Sequence, residues 1–193
     1  TFEDCLSNVP LIIKPPKGVD LKPGIRETAL VELVDFTATV YEMVGVDPGY
    51  DHFGKSLLPL LAGEETHRDA AFCEGGRRYG ERQAMELQST SNQNPEGLYY
   101  PRVGLQSKDD APYHTKAAMC RTNDFKYTMR LYEQDELYDL NKDPGETTNV
   151  INDPAYAAVA RQLKDRLLYW YMETCDVVPR DEDRRGFVGK DPD

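Results

Sequence analysis

Residues 117–140 carry the pattern that most constrains the fold, an alternation of apolar and polar side chains interrupted by two short turns. The alternating apolar side chains are Phe125, Tyr127, Met129 and Leu131. A period of two is typical of a half-buried strand. Turn residues at 123–124 and 133–135 separate this strand from apolar segments at 117–122 and 136–140. The pattern therefore predicts an antiparallel meander of three strands.

A long amphipathic helix is predicted after the meander. Asp153 followed by Pro154 is typical of a helix start, with a carboxylate at the N-cap and proline in the first turn. Apolar side chains then recur at helical spacing as far as about Cys175, at Tyr156, Val159, Leu163, Leu167 and Trp170. An antiparallel sheet of three or four strands packed by this helix is an α+β arrangement.

The N-terminal part has the composition of an α/β segment. Residues 9–14 are predicted to form a short buried strand, and residues 70–74 a second strand. Between them, residues 29–44 carry an apolar stripe at helical spacing, with Thr28 as the candidate N-cap and Gly45 after the last turn. A strand is the alternative for this stretch because it is rich in Val, Thr and Phe.

Charge and cysteine usage exclude several classes of function. The 193 residues include 34 acidic and 23 basic side chains, for a net charge of −11, which argues against nucleic acid as a main partner. No apolar run approaches the roughly 20 residues of a transmembrane helix. The four cysteines are widely separated and the three histidines are scattered, so neither a zinc knuckle nor another metal site within this chain is expected. Mostly buried thiols are favoured over two disulfides.

Six stretches, in order, resemble the conserved motifs of type I sulfatases. They are FEDCLSNVPLII at 2–13, LVDFTAT at 33–39, GKSLLPLL at 54–61, FCE at 72–74, MCRT with FKY at 119–127, and ELYDLNKDPGETTN at 136–149. The last is the most specific. Two positions depart from the family pattern, since Asn8 and Ala38 stand where many members have Arg and Pro. For the last motif a structural role is favoured, in which Leu137 and Leu140 pack while Asp139, Asp143 and Asn149 build turns through side-chain-to-backbone bonds.

The resemblance implies the α/β fold of the alkaline-phosphatase-like superfamily and covers its C-terminal third. Residues 1–76 are then the end of the catalytic domain, a strand, a helix and a strand. Residues 77–116 form a polar loop on the substrate side, and residues 117–175 form the C-terminal subdomain of meander and helix. Residues 176–193 are a charged tail.

The chemistry that the resemblance implies is sulfate-ester hydrolysis by a formylglycine nucleophile with Ca²⁺. Formylglycine arises from Cys or Ser in C/S-x-P-S/A-x-R, and no such stretch occurs here. The nucleophile, the calcium ligands and the sulfate-gripping lysine are therefore expected in an N-terminal catalytic part that precedes Thr1. No catalytic or metal-ligating residue and no cofactor is expected within this chain, which alone should be inactive. By family analogy the intact protein is periplasmic or secreted.

The polar loop is the predicted place of contact with a sulfated small molecule or saccharide. Its basic side chains stand out in an acidic chain, and arginine makes bidentate, charge-assisted bonds to sulfate. The candidate substrate-binding residues are Arg77, Arg78, His114 and Lys116. The alternative is a solvated loop whose basic groups pair with nearby glutamates such as Glu74.

Two other functions remain open at this stage. One is the C-terminal part of a phosphonate or phosphate monoester hydrolase of the same superfamily. The other is a stand-alone, non-catalytic module that binds anionic glycans or a partner protein. If the chain is isolated, its unpaired apolar edges are expected to cause self-association.

Overall fold

A computed structural model describes residues 2–14, 16–18, 22, 24, 29–76, 78 and 115–176. The helices are α1 Asp4–Ser7, α2 Val34–Val44, α3 Leu58–Ala62 and α4 Ala157–Thr174, the last preceded by a 3-10 turn at Pro154–Tyr156. The strands are β1 Ala71–Gly75, β2 Ala117–Arg121, β3 Phe125–Arg130 and β4 Glu136–Asp139. The predicted meander, the strand near residue 70 and the C-terminal helix are all present, which confirms the predicted fold class.

The strands form one sheet in the order β1-β2-β3-β4. β2 pairs antiparallel with β3, placing Cys120 opposite Tyr127, and β3 pairs antiparallel with β4, placing Tyr127 opposite Leu137. The predicted hairpin turn is closed by a 2.8 Å hydrogen bond from the Thr122 amide to the carbonyl of Phe125. β1 lies beside β2, so the strand predicted near residue 70 belongs to the same sheet as the meander.

The chain divides into two compact units. The first contains Thr1–Val9 and Phe72–Lys164, and its core is built around fully buried Cys120, Tyr127 and Leu137. The second contains Pro10–Ala71 and Asp165–Asp193, and Leu57 and Leu60 are buried within it.

The start of the C-terminal helix follows the predicted chemistry. The Asp153 side chain accepts a 2.9 Å hydrogen bond from the amide of Ala155, and Pro154 occupies the first turn. On the predicted apolar face, Leu163 and Leu167 are buried. Among the described residues, no helix is both long and apolar enough to cross a membrane.

The predicted strand at 9–14 is wrong. These residues have no regular secondary structure, and Ile12 is 91% exposed. The apolar composition of the stretch indicated burial, but a strand also needs a neighbour to receive its backbone hydrogen bonds. No strand in the described part of the chain pairs with this segment.

Helix α2 confirms the helical interpretation of residues 29–44 but begins later than predicted. Leu30 instead makes an extended bridge to Arg68, and the helix starts at Val34 after Leu33. The candidate N-cap Thr28 lies outside the described residues. The C-terminal prediction is confirmed, since Gly45 adopts the left-handed conformation after the last turn.

The prediction that β3 is half-buried is also wrong. Its polar residues Lys126 and Thr128 are as completely buried as Tyr127 between them. Lys126 can be buried because acidic side chains that are remote in sequence pair with its ammonium group, as described below. The three described cysteine side chains carry thiols, but only Cys120 is buried; Cys73 is intermediate and Cys175 exposed.

Candidate functional site

Two of the four predicted substrate-binding residues lie in the described part of the chain. Arg78 is exposed three residues after β1, and Lys116 immediately precedes β2, the neighbouring strand. Arg77 and His114 lie outside the described residues. The sheet thus brings the two ends of the segment between β1 and β2 to adjacent strands.

Lys116 pairs with Glu74 of β1. The distance from its Nζ atom to Oε2 of Glu74 is 3.2 Å, and the two side chains are 40% and 47% exposed. An exposed pair of this kind contributes only about 0–1 kcal/mol to stability. Such a pair leaves the ammonium group accessible to an anion from solvent, although the contact also fits the alternative of a solvated loop.

A cluster of charged side chains in the first unit was not predicted from the sequence, and we call it the Asp4 cluster (Asp4, Arg121, Lys126 and Glu146). Arg121 reaches Asp4 with Nη2 at 2.9 Å from Oδ2 and Nε at 3.1 Å from Oδ1. Lys126 Nζ binds the Asp4 carboxylate as well as the carbonyl of Phe2, at 2.8 Å. Helix α1 and Phe2, two residues before it, are thereby fixed to β2 and β3.

Glu146 completes the Asp4 cluster from the opposite side. Its carboxylate forms an ion pair with Lys126, and its Oε2 accepts a 3.0 Å hydrogen bond from the amide of Asp4. The residue has a φ of 55°, a left-handed conformation that costs a non-glycine residue energy. The turn is held by Asp143, whose carboxylate accepts hydrogen bonds from the amides of Thr147 and Thr148 at 2.7 and 2.8 Å.

The electrostatics of the Asp4 cluster favour charged side chains. Burial would raise the pKa of Asp4, but hydrogen bonds from Arg121 and Lys126 outweigh that effect and lower it to about 2. Asp4 is therefore ionised at neutral pH. The cluster joins residues of three sulfatase-like motifs, so the resemblance at these positions has a structural cause.

A second polar cluster lies in the second unit and is centred on Asp35 of α2, which is completely buried. Its carboxylate accepts hydrogen bonds from the amides of Lys55 and Glu32, at 2.8 and 2.9 Å, and from Nε of Arg68, at 2.9 Å. Nε2 of His67 lies 3.2 Å from Oδ2 of Asp35. These contacts join the start of α2 to two later segments of the same unit.

The protonation states in the second cluster follow from burial and charge. Burial opposes ionisation of Asp35, but the bonds from Arg68 and the two amides outweigh it and lower its pKa. Burial lowers the pKa of His67 despite the nearby Asp35 carboxylate, so its imidazole is neutral at pH 7. A neutral imidazole beside an ionised carboxylate donates through Nε2, which suits a structural contact.

Close backbone packing explains a further motif residue of the second unit. A Cβ atom at Gly54 would lie 2.3 Å from the carbonyl oxygen of Val34 in α2. Thr39 continues the contact, since its hydroxyl accepts a 2.8 Å hydrogen bond from the amide of Leu57. The motif GKSL at 54–57 therefore packs closely against α2.

The described residues do not fit a formylglycine or calcium centre. No group of three or more His, Cys, Asp or Glu side chains among them is arranged to hold a metal ion. The acids of both polar clusters are already bound to Arg, Lys and backbone amides. The chemistry of these clusters is that of packing and positioning.

Comparison with known proteins shows what this chain is similar to. Residues 80–172 match the family model described as N-sulphoglucosamine sulphohydrolase, C-terminal. The human N-sulphoglucosamine sulphohydrolase is 26% identical over 187 residues, which cover 86% of this chain and 37% of that protein. These matches show that the chain is similar to the C-terminal portion of sulfatases of the alkaline-phosphatase-like superfamily.

Other proteins to which this chain is similar come from the wider superfamily. The Delta 4,5-hexuronate-2-O-sulfatase of Bacteroides thetaiotaomicron is 26% identical over 161 residues, 82% of this chain and 27% of that protein. The crystal structure of the phosphonate monoester hydrolase of Agrobacterium radiobacter superimposes with a TM-score of 0.51 at 27% identity, covering 77% of this chain and 28% of that one. This chain thus spans roughly a third of the length of these proteins.

Proposed function

We propose that this chain is the C-terminal part of an enzyme that hydrolyses sulfate esters of a sulfated saccharide. The observation that carries the proposal is the match of residues 80–172 to the C-terminal family model of N-sulphoglucosamine sulphohydrolase. Two relatives, one human and one bacterial, are named for the removal of sulfate from amino-sugar or uronate residues. The order of the six sequence motifs supports the same assignment.

The contribution of this chain is to one wall of the cleft and to the choice of substrate. The nucleophile and the cation would be supplied by a part of the protein that the relatives possess in addition, because the sequence lacks the formylglycine motif and the described residues hold no group suited to a metal ion. Basic side chains at the ends of the segment between β1 and β2 are the ones suited to an anionic sugar. Lys116 and Arg78 support this role by their exposure, and Arg77 and His114 are proposed with them on sequence grounds.

The experiment is a comparison of substrates on the intact protein. We expect a kcat/KM for an aryl sulfate or a sulfated glucosamine at least 10-fold above that for a matched aryl phosphonate. The 193-residue chain alone should hydrolyse none of them. Turnover by the chain alone would contradict the proposed division of labour.

A phosphonate or phosphate monoester hydrolase is the second candidate. The structural match to the Agrobacterium enzyme, with a TM-score of 0.51 at 27% identity, specifically favours it. A preference of the intact protein for the aryl phosphonate in the same assay would establish this function instead. Absence of turnover on all of the substrates, together with binding of sulfated saccharides by the chain at low salt, would indicate a non-catalytic binding module.

A further inference from the structure

Helix α2 has its polar side turned inward and its apolar side turned outward. The buried residues are Asp35, Ala38 and Thr39, and the first and last of these are hydrogen-bonded inside the second unit. A helix on the surface of a finished protein normally shows the opposite arrangement. The second unit therefore satisfies the polar side of α2 and leaves the apolar side without a covering layer in the described structure.

The outward side forms a continuous stripe, which we call the α2 stripe: Leu33, Phe36, Val40 and Val44, which are 75%, 56%, 38% and 62% exposed. Because successive helical residues are about 100° apart, these four side chains fall within an arc of about 80° opposite Asp35. The stripe carries no charge. A helix normally buries its apolar side against another layer, so the outward position of this stripe indicates a contact with another part of a protein or with a partner.

We propose that the α2 stripe packs against the additional part of the protein that the sulfatase relatives possess. The proposal rests on the proposed function, since it takes the chain as the portion that spans 37% of the human relative and 27% of the bacterial one. It names the apolar face through which this portion joins the remainder.

The dimensions of the stripe argue against a second copy of this chain as the occupant. From Leu33 to Val44 the helix rises roughly 16 Å, and a helix is about 10 Å wide, so the stripe offers roughly 160 Å². A stable dimer buries about 800 Å² on each partner. A covalently continuous layer needs no such area, because the association costs no translational freedom.

The test is the chemical accessibility of the stripe in the intact protein. Val40→Cys reports on the stripe, and Leu168→Cys on α4 is the matched control because Leu168 is also an exposed apolar helix residue. Each variant is treated with a maleimide, and the labelling rate at each site is read by peptide mass spectrometry. The same measurements are made after denaturation and on the 193-residue chain alone.

We expect labelling of Val40→Cys in the intact protein to be at least 10-fold slower than that of Leu168→Cys, with equal rates after denaturation and in the chain alone. Equal rates in the intact protein would overturn the proposal. Protection that appears only as the protein concentration rises would identify a second copy as the occupant and would overturn it as well. Val44→Cys gives an independent reading if Val40→Cys does not fold. Labelling does not depend on turnover, so an error in the proposed substrate would leave this result unchanged.

Discussion

The ammonium group of Lys126 and the carboxylate of Glu146 form an ion pair whose side chains are 1% and 2% exposed. Lys126 lies in the middle of β3, and Glu146 lies in a turn after β4. Each group also binds Asp4 or its amide, from the opposite end of the sequence. A single buried cation thus holds together three segments of the first unit.

Removal of that cation is expected to be strongly destabilising. Lys126→Met would leave the Glu146 carboxylate buried without its counter-charge and the Asp4 carboxylate with Arg121 alone, a loss of about 3 kcal/mol. Chemical denaturation of the chain measures the change. Lys142→Met is the matched control because Lys142 is 73% exposed and its partner Asp139 keeps the hydrogen bond from the hydroxyl of Tyr156; it should cost under about 1 kcal/mol. Equal effects of the two variants would contradict the structural role of Lys126.

The left-handed backbone of Glu146 should separate two substitutions at one position. Both Glu146→Ala and Glu146→Gly remove the ion pair with Lys126, but glycine accepts a φ of 55° without strain. We expect Glu146→Gly to be about 1 kcal/mol more stable than Glu146→Ala. Parallel urea denaturation curves give this difference directly. An alanine variant as stable as the glycine variant would show that the turn relaxes once the carboxylate is gone.

The lowered pKa of Asp4 predicts loss of stability in acid. A carboxyl group whose pKa is about 2 in the folded chain and 3.8 when unfolded contributes stability above pH 4, and this contribution is lost as the pH falls towards 2. The contribution is about 2 kcal/mol. Asp4→Asn should reduce the slope of unfolding free energy against pH between pH 4 and 2, because asparagine does not titrate. An unchanged slope would contradict the prediction.

Close packing at Gly54 predicts a backbone effect. Gly54→Ala places a Cβ atom 2.3 Å from the Val34 carbonyl oxygen, so α2 must shift, at a cost of roughly 2–3 kcal/mol. Gly145→Ala is the control because its nearest neighbour would be Thr147 Cγ2 at 3.6 Å, an ordinary contact. Thermal unfolding of the two variants provides the comparison. A larger loss at Gly145 than at Gly54 would be inconsistent with the packing described.

The proposed contact of Arg78 and Lys116 with substrate predicts an effect on KM. In the intact protein, Arg78→Ala and Lys116→Ala should each raise KM for a sulfated saccharide roughly 3–10-fold with little change in kcat, since they remove uniform binding. The effect should weaken at high salt because the contacts are electrostatic. Lys164→Ala, which removes another exposed lysine from α4, is the control. Unchanged KM values would support the alternative of a solvated loop.

Sequence patterns predicted the elements whose determinants are local. The alternation through Tyr127 predicted β3, and Asp153 with Pro154 predicted the helix start, because both signals act over a few residues. The burial of Lys126 could not be predicted in the same way, since its partners Asp4 and Glu146 are 122 and 20 residues away. The prediction of a strand at residues 9–14 failed for a related reason. A strand depends on a neighbouring strand, and the stretch itself does not specify one.

The candidate site was predicted only in part, for a different reason. The sequence indicates Lys116 as a candidate substrate-binding residue by its charge in an acidic chain. The structure adds its pairing with Glu74. The residues of the two polar clusters belong to the sequence motifs, but the sequence alone did not show which of them contact each other. The one indication in the sequence was that several motifs occur together in a fixed order. Residues of separate motifs that occur together are expected to contact one another in the folded chain.

The Asp4 cluster has a consequence for which part of the first unit can vary. Its described contacts join residues 2–4 to residues 121–146, which lie on either side of the interval between β1 and β2. The two ends of that interval are held on adjacent strands, and lengthening a loop between fixed ends costs only about 0.6 kcal/mol per doubling. The segment between β1 and β2 can therefore change in sequence or length while the charged contacts of the Asp4 cluster are kept.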